Sequence, residues 1–273
     1  KVCYEFYSKE ISNLAIERSQ LERNLRAALE NNHFKLFYKP IIGSQTEKIA
    51  SLEALIRWMD PEKGMIPPDA FIPRAEDNRL MVPIGTLVLR KALTQMKAWI
   101  EKGVFTGKIA INISSVQIEE EDFITTLSAI LNEVGIDAGH IELEVTESAI
   151  MANEKQFIQT LRELKKLGFS ISIDDFGTGY SSLNYIKTLP IDTLKIDRTF
   201  VKDLPDDRDD IAITMVIITL AKQLGLSVIA EGIETEAQQE FLMQNGCHKA
   251  QGYLFAHPMD AASFEAFCHT QKA

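Results

Sequence analysis

Along the chain, apolar and β-branched runs alternate with amphipathic stretches. The runs occupy 34–42 (FKLFYKPII), 50–58 (ASLEALIRW), 108–115 (KIAINISS), 141–148 (IELEVTES), 170–177 (SISIDDFG), 193–200 (TLKIDRTF), 227–234 (SVIAEGIE) and 250–257 (AQGYLFAH), and each has the length and residue types of a strand. Between most of them apolar positions recur at helical spacing, over 83–102, 119–134, 153–167, 206–224 and 235–245. Gly103, Gly135, Gly168, Gly225 and Gly246 follow these stretches, where a left-handed glycine ends a helix. Strands alternating with helices predict crossover units and a mostly parallel sheet. Eight such runs predict a (β/α)8 barrel rather than an open doubly wound sheet. The connection between the first two runs is too short for a helix, so these two are expected to pair as a hairpin. Ahead of them, 10–32 reads as one helix with Leu14, Leu21, Leu25 and Ala28 in near-heptad spacing, which fits either a surface helix of the barrel or a linker. The expected division is therefore 1–32, then a barrel over 33–273.

Composition refines this only in places. With 45% hydrophobic and 25% charged residues among 273, the chain has the make-up of a soluble globular protein. A net charge of −10 argues against non-specific binding to DNA, RNA or anionic membrane. It leaves room for a phosphate-bearing ligand, because bound divalent cations reverse the local sign. Cys3, Cys247 and Cys268 are odd in number and far apart, which suits a reducing compartment. The opening KVCYEFYSKE is too polar for a signal peptide, and the apolar stretch 211–221 is too short to span a bilayer. A cytoplasmic segment without membrane contact is expected. Its first residue is Lys rather than Met, which suggests a piece of a longer protein.

Polar residues gather where the predicted strands end. Glu53 and Arg57 lie on the second run and Asn112 on the third. Glu144 and Glu147 end the fourth, Asp174 and Asp175 the fifth, Lys195 and Asp197 the sixth. Glu231 and Glu234 finish the seventh, and Gln251 opens the eighth. A carboxylate inside an apolar strand is costly to bury unless it is paired or binds a metal. At the C-terminal ends of barrel strands such groups converge on one mouth, where barrel enzymes keep their active sites. An all-oxygen set of Glu, Asn and Asp suits Mg2+ or Mn2+ rather than zinc, and the adjacent Asp174–Asp175 pair suggests two ions, one carboxylate bridging them. A lone strand glutamate is more often a salt-bridge partner; six strand ends carrying acidic or amide groups favour a shared site. Period-2 alternation predicts that Lys195 and Asp197 face inward together.

Other features have plainer readings. Gly177-Thr178-Gly179 matches half of a dinucleotide fingerprint, but Ser182 holds the third glycine position, so a tight strand-to-helix loop is expected. The acidic runs 119–122 and 203–210 sit at helix starts, where they compensate the macrodipole. Ser114 and Ser115 have no histidine near them in sequence and give little support for a serine triad. The five histidines are scattered, His257 alone standing near a strand end. Phe176, Tyr180, Tyr185 and Phe255 read mainly as core or rim aromatics.

Taken in order, these residues resemble the EAL family of cyclic di-GMP phosphodiesterases from Phe34 to Met259. The matching motifs are Glu53-Ala54-Leu55-Ile56-Arg57-Trp58, Asn112-Ile113-Ser114, Glu144-Val145-Thr146-Glu147, and the run from Asp174 through Phe176, Gly177, Thr178, Gly179 and Tyr180 to Leu183. Leu194-Lys195-Ile196-Asp197, Ala230-Glu231-Gly232-Ile233-Glu234 and Gln251-Gly252-Tyr253 complete the series. The resemblance implies a TIM-like (β/α)8 barrel with an antiparallel first strand, and metal-dependent hydrolysis of cyclic di-GMP to linear pGpG. It implies that Glu53, Asn112, Glu144 and Asp174 hold one cation. Asp174 would bridge to a second that Asp175 also binds, with Glu231 reaching it directly or through water and a candidate base. It further implies that Arg57 holds a substrate phosphate, that Lys195 holds the attacking water, that Gln251 and Glu234 lie near substrate or metals, and that Glu147 props the loop 176–182 and so couples the site to a homodimer. The alternative is a weakly active or inactive EAL domain acting as a cyclic di-GMP receptor.

One departure stands out: the first strand of the family usually ends in Gln-Pro, and here it reads Lys39-Pro40. A cation there can pair with a substrate phosphate, repel a metal or turn toward a carboxylate. Tyr4-Glu5-Phe6-Tyr7-Ser8 also resembles the last strand of a GGDEF diguanylate cyclase domain, and Glu22-Arg23-Asn24-Leu25-Arg26 the connector that follows it.

Overall fold

The computed structural model describes residues 9–44, 46–152, 154–178 and 186–271. The chain enters through α1 (Lys9–Glu30), whose Leu25 and Ala28 are buried. The first two strands, β1 (Phe34–Gly43) and β2 (Lys48–Asp60), pair antiparallel, as the short connection requires. From β2 onward the neighbours are parallel: β4 (Lys108–Asn112), β5 (Ile141–Thr146), β6 (Ser170–Phe176), β7 (Thr193–Ile196), β8 (Ser227–Ala230) and β9 (Lys249–Ala250). Pairing of β9 with β1 closes the barrel, and β3 (Gly64–Ile66) adds a short ribbon to the far end of β2. The fold is the expected TIM-like (β/α)8 barrel with an antiparallel first strand.

Outside the barrel lie α2 (Pro68–Asp77), α3 (Met81–Glu101), α4 (Ser115–Ile118), α5 (Phe123–Val134), α6 (Glu147–Ala152) and α7 (Glu154–Lys166), then α8 (Arg208–Leu224), α9 (Glu236–Gln244) and α10 (Ala261–Gln271). The five glycines that follow helical stretches all have positive φ, a conformation that costs a residue with a Cβ more than it costs glycine. Since no helix crosses from β1 to β2, α3 and α10 cover that seam. Trp99 of α3 packs edge-on against Tyr38 of β1 at 4.7 Å and lies 4.8 Å from Phe264 of α10. Its indole N–H donates to Glu265 at 3.0 Å, giving the buried ring the polar partner it needs.

Several predicted runs end earlier than their apolar pattern. β5 stops at Thr146, and Glu147 opens α6. Ser114 caps α4 in a reciprocal box with Gln117, which gives this serine a structural task. Of the last run only Ala250 is strand, forming β9 with Lys249 just before it; the chain then turns, and Met259 returns to exchange backbone hydrogen bonds with Tyr38.

Candidate active site

The parallel register brings the polar strand ends to one mouth. Asn112 lies opposite Glu144, Thr146 opposite Asp174, and Lys39 opposite Glu53 across the antiparallel pair. At the centre is Lys195, fully buried. Its Nζ lies 2.7 Å from Glu231, 2.9 Å from Glu144, 3.1 Å from Asp174 and 3.9 Å from Glu53.

Glu53 is pinned at both oxygens. Asn112 Nδ2 donates to Oε1 and Gln251 Nε2 to Oε2, each at 2.9 Å. Burial works against its charge, but Lys195, these two donors and Lys39 hold the carboxyl below its ordinary pKa. Glu144 lies on the other side of that balance. Completely buried and facing three other carboxylates, it is pushed well above the usual carboxylate range despite Lys195. Glu231 is raised to about 7 by burial, with Asp174 and Glu53 adding and Lys195 opposing. Burial also disfavours the charged form of Lys195, yet Asp174, Glu144, Glu231 and Glu53 together hold its pKa well above that of a free lysine.

The backbone at β6 explains how consecutive aspartates are placed. Asp175 has φ of 54° and the β6–β7 register shifts between Ile173 and Phe176. Aspartate is among the few non-glycine residues that visit this region readily. The irregularity interrupts the alternation that would send adjacent side chains to opposite faces. Asp174 Oδ1 accepts the Asp175 N–H at 3.0 Å. Asp175 is raised to about 6 by desolvation, the Asp174 charge and Asp197, with which it shares a hydrogen bond.

Gly177 N–H donates to the buried Glu147 at 3.2 Å, tying the start of α6 to the loop after β6. Phe176 is buried in the core, and Thr178 returns its hydroxyl to the Asp175 carbonyl at 2.7 Å. Gly179, Tyr180 and Tyr185 lie outside the described residues.

Two expected placements change. Asp197 does not join Lys195 inside: β7 ends at Ile196, so alternation lapses, and Asp197 caps the turn Arg198–Phe200 by accepting from Thr199. Glu234 is exposed, held by its backbone N–H to Gln238, and no contact places its carboxylate in the cluster. Arg57 lies at the rim with its guanidinium 5.9 Å from the Phe37 ring and donating to the Ile56 carbonyl. One feature had no distinct sequence signal: Lys39 Nζ is 5.8 Å from the centre of the Tyr253 ring, which stacks on His257 at 4.1 Å. A second is a cleft of about 430 Å3 beside Asn112, lined among others by Leu55, Pro68, Ile72, Glu76 and Thr146. Part of its wall comes from α2, a helix the apolar pattern did not reveal.

The donor set fits a hard cation. Ligand oxygens of Glu53, Glu144 and Asp174 lie within 4.8 Å of one another, and buried Glu144 has only the Lys195 ammonium against Oε2 and no partner among the described residues at Oε1. Orphaned buried carboxylate oxygens are expensive; coordination to a divalent ion satisfies them. No helix among the described residues is long and apolar enough to cross a membrane.

Comparison with known proteins places this geometry. The chain is 42% identical over 258 residues to the bifunctional diguanylate cyclase/cyclic di-GMP phosphodiesterase MucR of Pseudomonas aeruginosa, covering 94% of this chain and 38% of that protein. To the cyclic di-GMP phosphodiesterase NbdA of the same organism it is 40% identical over 263 residues, covering 96% and 34%. The chain thus spans little more than a third of the length of these relatives. The solved PaMucR phosphodiesterase, in complex with c-di-GMP, superposes with a TM-score of 0.86 at 43% identity, over 89% of this chain and 99% of that one. The EAL domain profile matches residues 22–258, and with the barrel and its acidic mouth in place, the chain belongs to the EAL domain family.

Proposed function

We propose that this barrel hydrolyses cyclic di-GMP to linear pGpG with the help of Mg2+ or Mn2+, two ions per site. The observation that carries the reading is the convergence of Glu53, Glu144, Asp174 and Glu231 around Lys195 at the C-terminal mouth of the barrel. Relatives of 40% and 42% identity that bear the phosphodiesterase name support it.

In this reading Glu53, Asn112, Glu144 and Asp174 hold one ion, and Asp174, Asp175 and Glu231 a second. Ions bound there would lower the pKa of a water and offset charge on the phosphate. Asn112 and Gln251 keep the Glu53 carboxylate fixed and ionised. Lys195 holds a water beside the phosphorus, and Glu231 is the candidate base for it. Arg57 and Lys39, at the rim, supply positive charge for the phosphates. Glu147, through Gly177, steadies the loop that follows Asp174 and Asp175 and is the link to a homodimer. The segment works in the cytoplasm, with α1 as the connector to a GGDEF-like domain.

The test is turnover. Purified chain mixed with cyclic di-GMP and Mg2+ or Mn2+ is expected to produce pGpG, followed by chromatography. Chelator or Glu53→Ala should abolish it. Binding without cleavage in either metal would identify a receptor instead, and no binding would remove the reading altogether.

A further inference from the structure

The cluster around Lys195 is unbalanced in charge, with one ammonium shared by four carboxylates. Its Nζ lies 2.7–3.1 Å from Glu231, Glu144 and Asp174 and 3.9 Å from Glu53, and Glu144 Oε1 has no hydrogen-bond partner among the described residues. Buried ion pairs that serve as fixed structure rely on close geometry and full hydrogen bonding. Here the ammonium acts as a point charge set among oxygens that converge as metal ligands do. Lysine suits that task, with a compact charge on a flexible stem.

We propose that Lys195 is the stand-in cation of this site: in the metal-free protein its ammonium neutralises Glu53, Glu144, Asp174 and Glu231, and it gives up that position when a divalent ion binds. The inference rests on the reading of the cluster as a metal centre and adds a role distinct from holding water. It has two consequences of opposite sign. Lys195 stabilises the metal-free fold, and it weakens metal binding, because ammonium and metal compete for the same oxygens.

Lys195→Met keeps the buried stem and removes the charge. Thermal melting in chelator and calorimetric titration with Mn2+ separate the two consequences. The metal-free variant is expected to melt several degrees below the native chain. It should bind Mn2+ about tenfold or more tightly, since a competing unit charge within contact distance has gone. The Mn2+-induced rise in melting temperature should then be larger in the variant. Lys195→Met/Glu231→Gln, which removes one charge of each sign, should recover part of the metal-free loss. If Lys195→Met is recovered only in Mn2+, that dependence is the predicted behaviour in its strongest form, and the double variant supplies the chelator measurement. Mn2+ affinity equal to or weaker than native, or an equal fall in melting temperature with and without Mn2+, would overturn the proposal. Absence of Mn2+ binding to the native chain would instead overturn the metal-site reading, and this inference with it.

Discussion

Gln251→Leu removes a single hydrogen bond from the centre of the site at nearly constant side-chain volume. Gln251 is buried, and its amide donates to Glu53 Oε2 at 2.9 Å. Its backbone is fixed independently, donating to the Ala230 carbonyl at 2.8 Å and accepting from Ile233 at 3.1 Å. The substitution should therefore act on Glu53 rather than on the course of the chain. A hydrogen bond to a charged group is worth about 1.5–3 kcal/mol. If all of it serves to keep Glu53 oriented for a cation, metal affinity should fall by about 10- to 100-fold. Calorimetric titration with Mn2+ measures this directly, and the metal dependence of pGpG formation should shift by the same factor, with activity returning at high Mn2+. A metal affinity within about twofold of native, accompanied by a lower melting temperature, would refute the reasoning and leave Gln251 as a packing residue.

Glu147→Ala should cost about 1–3 kcal/mol, because the Gly177 N–H loses its acceptor and a buried site is emptied; Glu147→Gln keeps an acceptor and should lose less, and equal losses in thermal melts would argue against the hydrogen bond. Lys39→Gln should raise KM for cyclic di-GMP by up to about fivefold, the worth of one partly exposed ion pair; unchanged KM and kcat with both Mg2+ and Mn2+ would remove Lys39 from the site. The pH dependence of metal-free stability follows from Glu231. Its carboxyl is raised from about 4.5 to about 7 on folding, so the folded state binds the extra proton between those values. This group therefore costs stability as pH rises through that window. Glu231→Gln should flatten that slope in chelator melts, and an unaltered slope would assign the titration elsewhere.

The strand order was readable because the parallel strands are buried on both faces and appear as continuous apolar runs. Their helices were readable because each left-handed glycine marks an end. The readings failed where local signals are overruled. The apolar pattern predicts no helix between the second run and position 83, yet Pro68 opens α2 at a position where its missing N–H costs nothing. Most of the last run lies outside any strand, since of its residues only Ala250 belongs to β9. The carboxylates of the site stood out as charges inside apolar strands, a pattern that burial alone forbids. Asp197 misled because alternation applies only while the strand lasts. Tyr253 and His257 are joined by a turn, and the cleft beside Asn112 by α2 and β2, so neither juxtaposition has a local signature.

The most direct test of the whole account is diffraction from crystals grown with Mn2+, using its anomalous scattering. The account predicts peaks at the barrel mouth, one ligated by Glu53, Asn112, Glu144 and Asp174 and one by Asp174, Asp175 and Glu231, with the Lys195 ammonium moved off the carboxylate centre. Mouth carboxylates without a peak at saturating Mn2+, with Lys195 still among them, would contradict it.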